Sequence, residues 1–199
     1  MPPEPDTDRL SRERALALLQ EWVASESLQR HCLAVEAAMR GQARERGGDE
    51  QLWGATGLLH DLDYERYPDL ESGHPRLAMA ELERLGYPAE LIRAVGSHAP
   101  YMGIERISEM ERALAAVDEL SGFVLACAYV RPEGIHGLRA KSVRKKLKQP
   151  SFAAAVNRED IVSGAEELGV ELDELIEAVI ASIEPLADEL GIAGSQTSG

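Results

Sequence analysis

The chain is poor in cysteine, in aromatic residues and in positive charge, and it has no long apolar run. Only Cys32 and Cys127 occur among 199 residues, too few for a disulfide framework or a thiolate zinc cluster. Aromatic residues make up 5%, which together with abundant Ala, Leu and Glu favours helix over sheet. Lys and Arg number 21 against 35 Asp and Glu, a net charge of −14. That balance speaks against nucleic acid polymers and anionic membranes as partners, since both attract positive surface. No apolar stretch approaches the roughly 20 residues needed to cross a bilayer. The polar start MPPEPDTDRLSRER has the character of neither a signal nor a transit peptide. A soluble, cytoplasmic protein is expected. With 44% hydrophobic and 28% charged residues, it has the composition of a folded domain with a real core.

Apolar residues recur at helical intervals along most of the chain. Between Asp8 and Trp22 they are Leu10, Leu16, Leu18, Leu19 and Trp22. Ser27 is suited to cap a second helix carrying Leu28, Cys32, Val35 and Met39 on one face and ending near Gly47-Gly48. A third helix is predicted from about Asp49 to Asp61, and a fourth from His74 to Leu85. A fifth starts at Pro88 and reaches about His98. A long sixth helix spans Ser108 to Val130, opened by a capping box of Ser108 and Glu111. Short segments follow, then a final helix from about Leu172 to Leu190, bent near Pro185. The organisation expected is one all-α domain over residues 8–193, with flexible ends at 1–7 and 194–199.

Two acidic positions on this pattern ask for a partner. His60-Asp61 closes the apolar stretch Ala55-Thr56-Gly57-Leu58-Leu59, and Asp118 interrupts Ala113-Leu114-Ala115-Ala116-Val117 ahead of Leu120 and Phe123. An unpaired buried charge is costly, and no Lys or Arg lies within a turn of Asp118. A divalent metal held by imidazole and carboxylate is an economical answer. His31 as a hydrogen-bonded core residue and Asp118 as a helix-to-helix hydrogen bonder are the plainer ones. The bare His-Asp dipeptide is common. The ordered set of His31, His60-Asp61 and Asp118, each on a different helix, is less so.

That set resembles the HD-domain metal-dependent phosphohydrolases, in which a His, a His-Asp pair and a distal Asp come from separate helices of one bundle. The likeness extends through GLLHDLDYERYPD, ALAAVDELSGFVLACAYVRPE, KSVRKKLKQPSFAAAVNRED and the final helix. It looks like the small standalone HD proteins of bacteria, over nearly the whole chain. The resemblance implies a single helical bundle of the HD type and one or two divalent ions (Fe, Mn, Mg, Co or Zn). His31, His60, Asp61 and Asp118 would surround one ion. His74 and His98 stand in the order of the two further histidines of dinuclear members, with Asp61 bridging. His74 as a loop or capping residue and His98 as a helix-end hydrogen bonder are the alternatives. The glycine that often stands two residues after the pair is Asp63 here. His98-Ala99 replaces the adjacent histidines of the cyclic-dinucleotide phosphodiesterases, so that activity is not expected.

The function implied is hydrolysis of a phosphate ester on a small molecule, with nucleotides among the candidates. Asp61 would be catalytic through the metal, and Asp63, or Glu65 beside it, would take or deliver a proton. Two other readings share the residues: a diiron oxygenase of the same superfamily, and a non-catalytic, metal-braced module that binds a nucleotide. Six of the chain's 21 cations fall between Arg139 and Lys148 with no acid among them. Lys141, Arg144 and Lys145 share one helical face, and this face is the expected contact for a phosphorylated substrate. A solvated helix face is the simpler account of it. His136 is expected in a loop, and Cys32 in the core, about 100° around the helix from His31.

Overall fold

Ser11, Ser25, Asp49, Ser108 and Asn157 each place a side-chain oxygen on a backbone N–H in the first turn of a helix. These caps satisfy donors that have no partner within the helix. In the computed structural model, which describes residues 11–195, the helices are α1 (Arg12–Trp22), α2 (Glu26–Arg46), α3 (Glu50–Leu59), α4 (Arg76–Arg84) and α5 (Ala89–His98). They continue with α6 (Glu109–Tyr129), α7 (Ala140–Leu147), α8 (Arg158–Leu168) and α9 (Leu172–Ile183). The described residues contain no strand, so the protein is all-α, as the composition implies. Among the described residues no helix is long and apolar enough to cross a membrane.

Several boundaries differ from expectation for local reasons. Ser25, not Ser27, caps α2 by accepting from the Leu28 N–H, and Ser27 lies inside the helix. α4 begins at Arg76, which leaves His74 in the turn before it. The last helix stops at Ile183, and Pro185 sits in a 3-10 turn, Glu184–Leu186, instead of bending a longer helix. Proline has no N–H to continue the ladder. The short segments ahead of α9 include two full helices, α7 and α8. Asp8, Leu10 and the end segments 1–7 and 196–199 lie outside the described residues. Of the remaining pair, Ser195 donates its N–H to the Pro132 carbonyl at 2.9 Å.

α6 runs through the middle of the bundle and buries Leu114, Val117, Leu120, Phe123 and Val124. α2 and α9 pack along it, α8 lies against it, and α3 nests between α2 and α5. Every residue of α3 from Leu52 to Leu59 is buried. Gly57 makes that possible: a Cβ there would stand 2.8 Å from the Val35 carbonyl oxygen and 2.9 Å from the Met39 side chain. In an isolated helix, Gly→Ala would stabilise by about 1 kcal/mol. Here the clash is with backbone, so the sign reverses. Gly57→Ala is expected to cost about 1–3 kcal/mol in urea denaturation, by forcing α2 away from α3.

Candidate metal centre

Six side chains from five elements and their connecting turns converge at one end of the bundle. His31 projects from the second turn of α2 and Asp118 from the middle of α6. His60 is the C-terminal cap of α3, and Asp61 follows it in the turn. His98 ends α5, and His74 precedes the first turn of α4. His31 Nε2 lies 3.0 Å from Asp118 Oδ1 and 3.3 Å from His60 Nε2. His60 Nε2 is 3.3 Å from the same Asp118 oxygen. On the other side, His74 Nε2 and His98 Nε2 are each 3.5 Å from Asp61 Oδ1. The second oxygen of Asp61, Oδ2, faces back to His60 at 3.4 Å and to His31 at 3.8 Å. Asp61 therefore stands between two groups, with one oxygen toward each.

The ring orientations are set from behind. His60 Nδ1 lies 2.8 Å from the Gly57 carbonyl, and His98 Nδ1 lies 2.5 Å from the Val95 carbonyl. A carbonyl only accepts, so each Nδ1 carries a proton and each Nε2 is the atom left to face the centre. Burial alone would lower the pKa of His60, but the Asp61 and Asp118 carboxylates outweigh it and hold it well above its ordinary value. Burial would raise Asp61 and Asp118. The facing imidazoles, His60 foremost, hold both well below the usual carboxylate range. Among the described residues no Lys or Arg pairs with either carboxylate.

This donor set suits divalent ions. The ligating atoms of His31, His60 and Asp118 lie within 4.8 Å of one another, as do those of Asp61, His74 and His98. Imidazole nitrogen with carboxylate oxygen and no thiolate matches Zn, Fe, Mn or Co better than a soft-metal site. Cys32 is fully buried in the core, with burial pushing its thiol up to about 12, and it belongs to neither group of converging ligand atoms.

The centre opens into a cleft of about 1100 Å³. Tyr64, Leu70 and Tyr101 stand on one wall, each more than two-fifths exposed. Glu119, Asn157 and Asp160 stand on the wall made by α6 and α8. Burial and the neighbouring Asp118 carboxylate push Glu119 up to about 7. The cleft has one guanidinium, Arg106, already bound to Glu167 and to the carbonyls of Ser97 and His98.

Of the residues singled out in the sequence, the six His and Asp meet here and Glu65 lies on the cleft wall, whereas Asp63, Lys141, Arg144 and Lys145 do not line it. Asp63 is fully buried, and its oxygens are taken by His74 Nδ1 and the Ala78 N–H, each at 2.8 Å. It does not face the cleft, so proton exchange with a water there is corrected to a role behind His74. Glu65 accepts from the Ala24 and Ser25 N–H groups with one oxygen and so pins the start of α2. Lys141, Arg144 and Lys145 are also corrected: none lines the cleft. α7 buries Ala140 and Val143 and packs on α9, which turns its basic face to solvent, and Arg144 pairs with Asp173 at 3.1 Å. His136 lies in a turn bonded to Glu184. Glu119, Tyr64 and Tyr101 were not singled out from the sequence. Glu119 adjoins Asp118 and Tyr64 lies in the string after His60-Asp61, but Tyr101 carries no local signal.

No curated protein and no solved structure matches the chain significantly. The family model of the HD domain matches residues 28–122, a span that contains all six converging residues. HD domains are mostly metal-dependent hydrolases. Residues 28–122, just under half of the chain, thus carry an HD domain.

Proposed function

We propose that this protein is a metal-dependent phosphohydrolase that cleaves a phosphate ester of a small molecule at a two-ion centre. The observation that carries the reading is the placement of Asp61, whose two oxygens face two separate histidine groups. His31, His60, Asp118 and Asp61 Oδ2 would hold one ion, and His74, His98 and Asp61 Oδ1 the other. Divalent ions bound there would supply an acidified water and a clamp on the attacking and leaving oxygens of a phosphoryl group.

The chain's own residues divide the remaining work. Glu119 faces the cleft with a pKa near neutrality, which suits it to hold or release a proton at the leaving oxygen. Asp63 is excluded from that task by its burial. The substrate's phosphate charge falls to the centre itself, because the one guanidinium of the cleft is already engaged. Tyr64, Leu70 and Tyr101 offer apolar surface to the organic part of the ester, and the cleft is roomy enough for a nucleotide or a molecule of similar size.

The test begins with protein purified without chelators and analysed for bound metal. It is then screened against phosphate monoesters and nucleotides with added Mn, Mg, Co, Fe or Zn. Metal-dependent phosphate release by the wild type, absent in Asp118→Ala, is expected. Turnover that instead requires dioxygen, with a mixed-valence iron signal, would show oxidation in place of hydrolysis. A fully loaded, folded protein inert across the panel would point to binding without catalysis.

A further inference from the structure

His60 and His98 reach the centre from the carbonyl ends of their helices, and each finds the acceptor for its Nδ1–H three residues back on its own chain. His74 cannot do this. It precedes α4, and the start of a helix offers free N–H groups, not carbonyls. An acceptor has to be brought from elsewhere. Asp63, eleven residues earlier and fully buried, supplies it at 2.8 Å. The other Asp63 oxygen accepts the Ala78 N–H in the first turn of α4, a helix whose own cap position, Pro75, makes no side-chain cap.

The rest of His74 is held as firmly. Its N–H donates to the Tyr67 carbonyl at 2.8 Å, its carbonyl accepts from the Tyr101 hydroxyl at 3.1 Å, and the ring meets Tyr64 edge-on with centroids 5.2 Å apart. Two carboxylates face the ring nitrogens: Asp63 is within hydrogen-bond distance of Nδ1 at 2.8 Å, whereas Asp61 Oδ1 stands off Nε2 at 3.5 Å, so Asp63 makes the closer contact and sets which nitrogen carries the proton. A carboxylate that accepts on both oxygens leaves His74 with the proton on Nδ1 and a lone pair on Nε2, the atom that faces Asp61.

We propose that Asp63 is a positioning residue that locks His74 in its Nδ1–H form and thereby creates the site for the second ion. This rests on the two-ion reading above. Asparagine is the informative replacement, because it has nearly the same shape. The Ala78 N–H requires an acceptor, so in Asp63→Asn the side-chain carbonyl takes that place and the NH₂ turns to His74 Nδ1. The ring must then accept there and carry its proton on Nε2, where it blocks an ion.

Two measurements test this. In metal-free wild type labelled with ¹⁵N-histidine, His74, assigned by its loss in His74→Gln, is expected to show the Nδ1–H tautomer. In Mn²⁺ titrations followed by calorimetry and elemental analysis, Asp63→Asn is expected to bind the second ion about 10–100-fold more weakly. The first ion should bind as in wild type, and His98→Ala serves as the reference for a lost second ion. An Nε2–H tautomer in wild type overturns the proposal, as does an Asp63→Asn protein that takes both ions with wild-type affinity. If Asp63→Asn does not fold, the wild-type tautomer alone decides. A wild type that never takes a second ion instead removes the two-ion reading, and the tautomer still reports on Asp63 by itself.

Discussion

Asp61→Ala is expected to lose both ions and to lower turnover by more than about 10³-fold, since removing even one preorganised electrostatic group from an active site costs about 10²–10³. Its effect should exceed that of any other single ligand because of where its oxygens lie: Oδ1 is 3.5 Å from His74 and His98, and Oδ2 is 3.4 Å from His60. The other replacements should divide by side. His74→Ala and His98→Ala should keep the ion between His31, His60 and Asp118, whereas Asp118→Ala should lose that ion first. Metal content per chain, measured beside kcat for each variant, reads the division directly. The shared role of Asp61 fails if wild type never holds more than one ion with any metal tried and both histidine variants stay fully active.

Stripping the metal should lower thermal stability markedly, and by an amount that depends on pH. An ion present at 100 times its dissociation constant stabilises the native state by about 2.7 kcal/mol. For a chain of this size that corresponds to a fall in Tm of roughly 5–11 °C on chelation. In the metal-free protein a proton on His60 takes the place of the cations between Asp61 and Asp118. Its pKa is raised above the ordinary 6.5, so this stabilisation is complete below about 6.5 and is lost as pH rises through the folded value. The two carboxylates are held below the ordinary 3.8, so their share is present above 3.8 and is lost as pH falls through their depressed values. Metal binding expels the His60 proton. The gap in Tm between loaded and stripped protein should therefore widen from about pH 6 to about pH 9. Calorimetric scans of both forms across that range check it, and a gap that is constant or narrows with pH would contradict the proton's place in the empty centre.

How far the sequence revealed this arrangement depends on the kind of signal each residue carries. Asp118 could be read because a carboxylate inside Ala113–Val117 has no local partner, and α6 places it where that pattern implies. The long helix and its Ser108–Glu111 capping box could be read because both signals lie within four residues. The pairing of His74 with Asp63 could not. It joins residues across the turn ahead of α4, and a buried aspartate in a polar stretch, LDYERYPD, looks like a solvated one. The basic run from Arg139 was misleading for the opposite reason. Charge is evident in a sequence, but the direction in which α7 turns it depends on Ala140 and Val143 meeting α9. The Ser25 cap was missed because Ser25 and Ser27 are equivalent in sequence, and only the two amides held by Glu65 show where the helix starts.

The backbone adds to the centre in a way the six side chains do not express. α3 and α5 both present their carbonyl ends there, as His60 and His98 are the cap and the last residue of those helices. Each such end carries roughly half a negative elementary charge from its aligned peptide dipoles. Two helices, α2 and α4, begin beside the cleft and would oppose this with their positive ends, but Glu65 covers the first at the Ala24 and Ser25 N–H groups and Asp63 the second at the Ala78 N–H. The site is thus a well of negative potential set by the direction of the helices, before any ligand protonation state is counted. It draws cations out of solution and repels a free phosphate group, and that preference reverses only when the cations are in place.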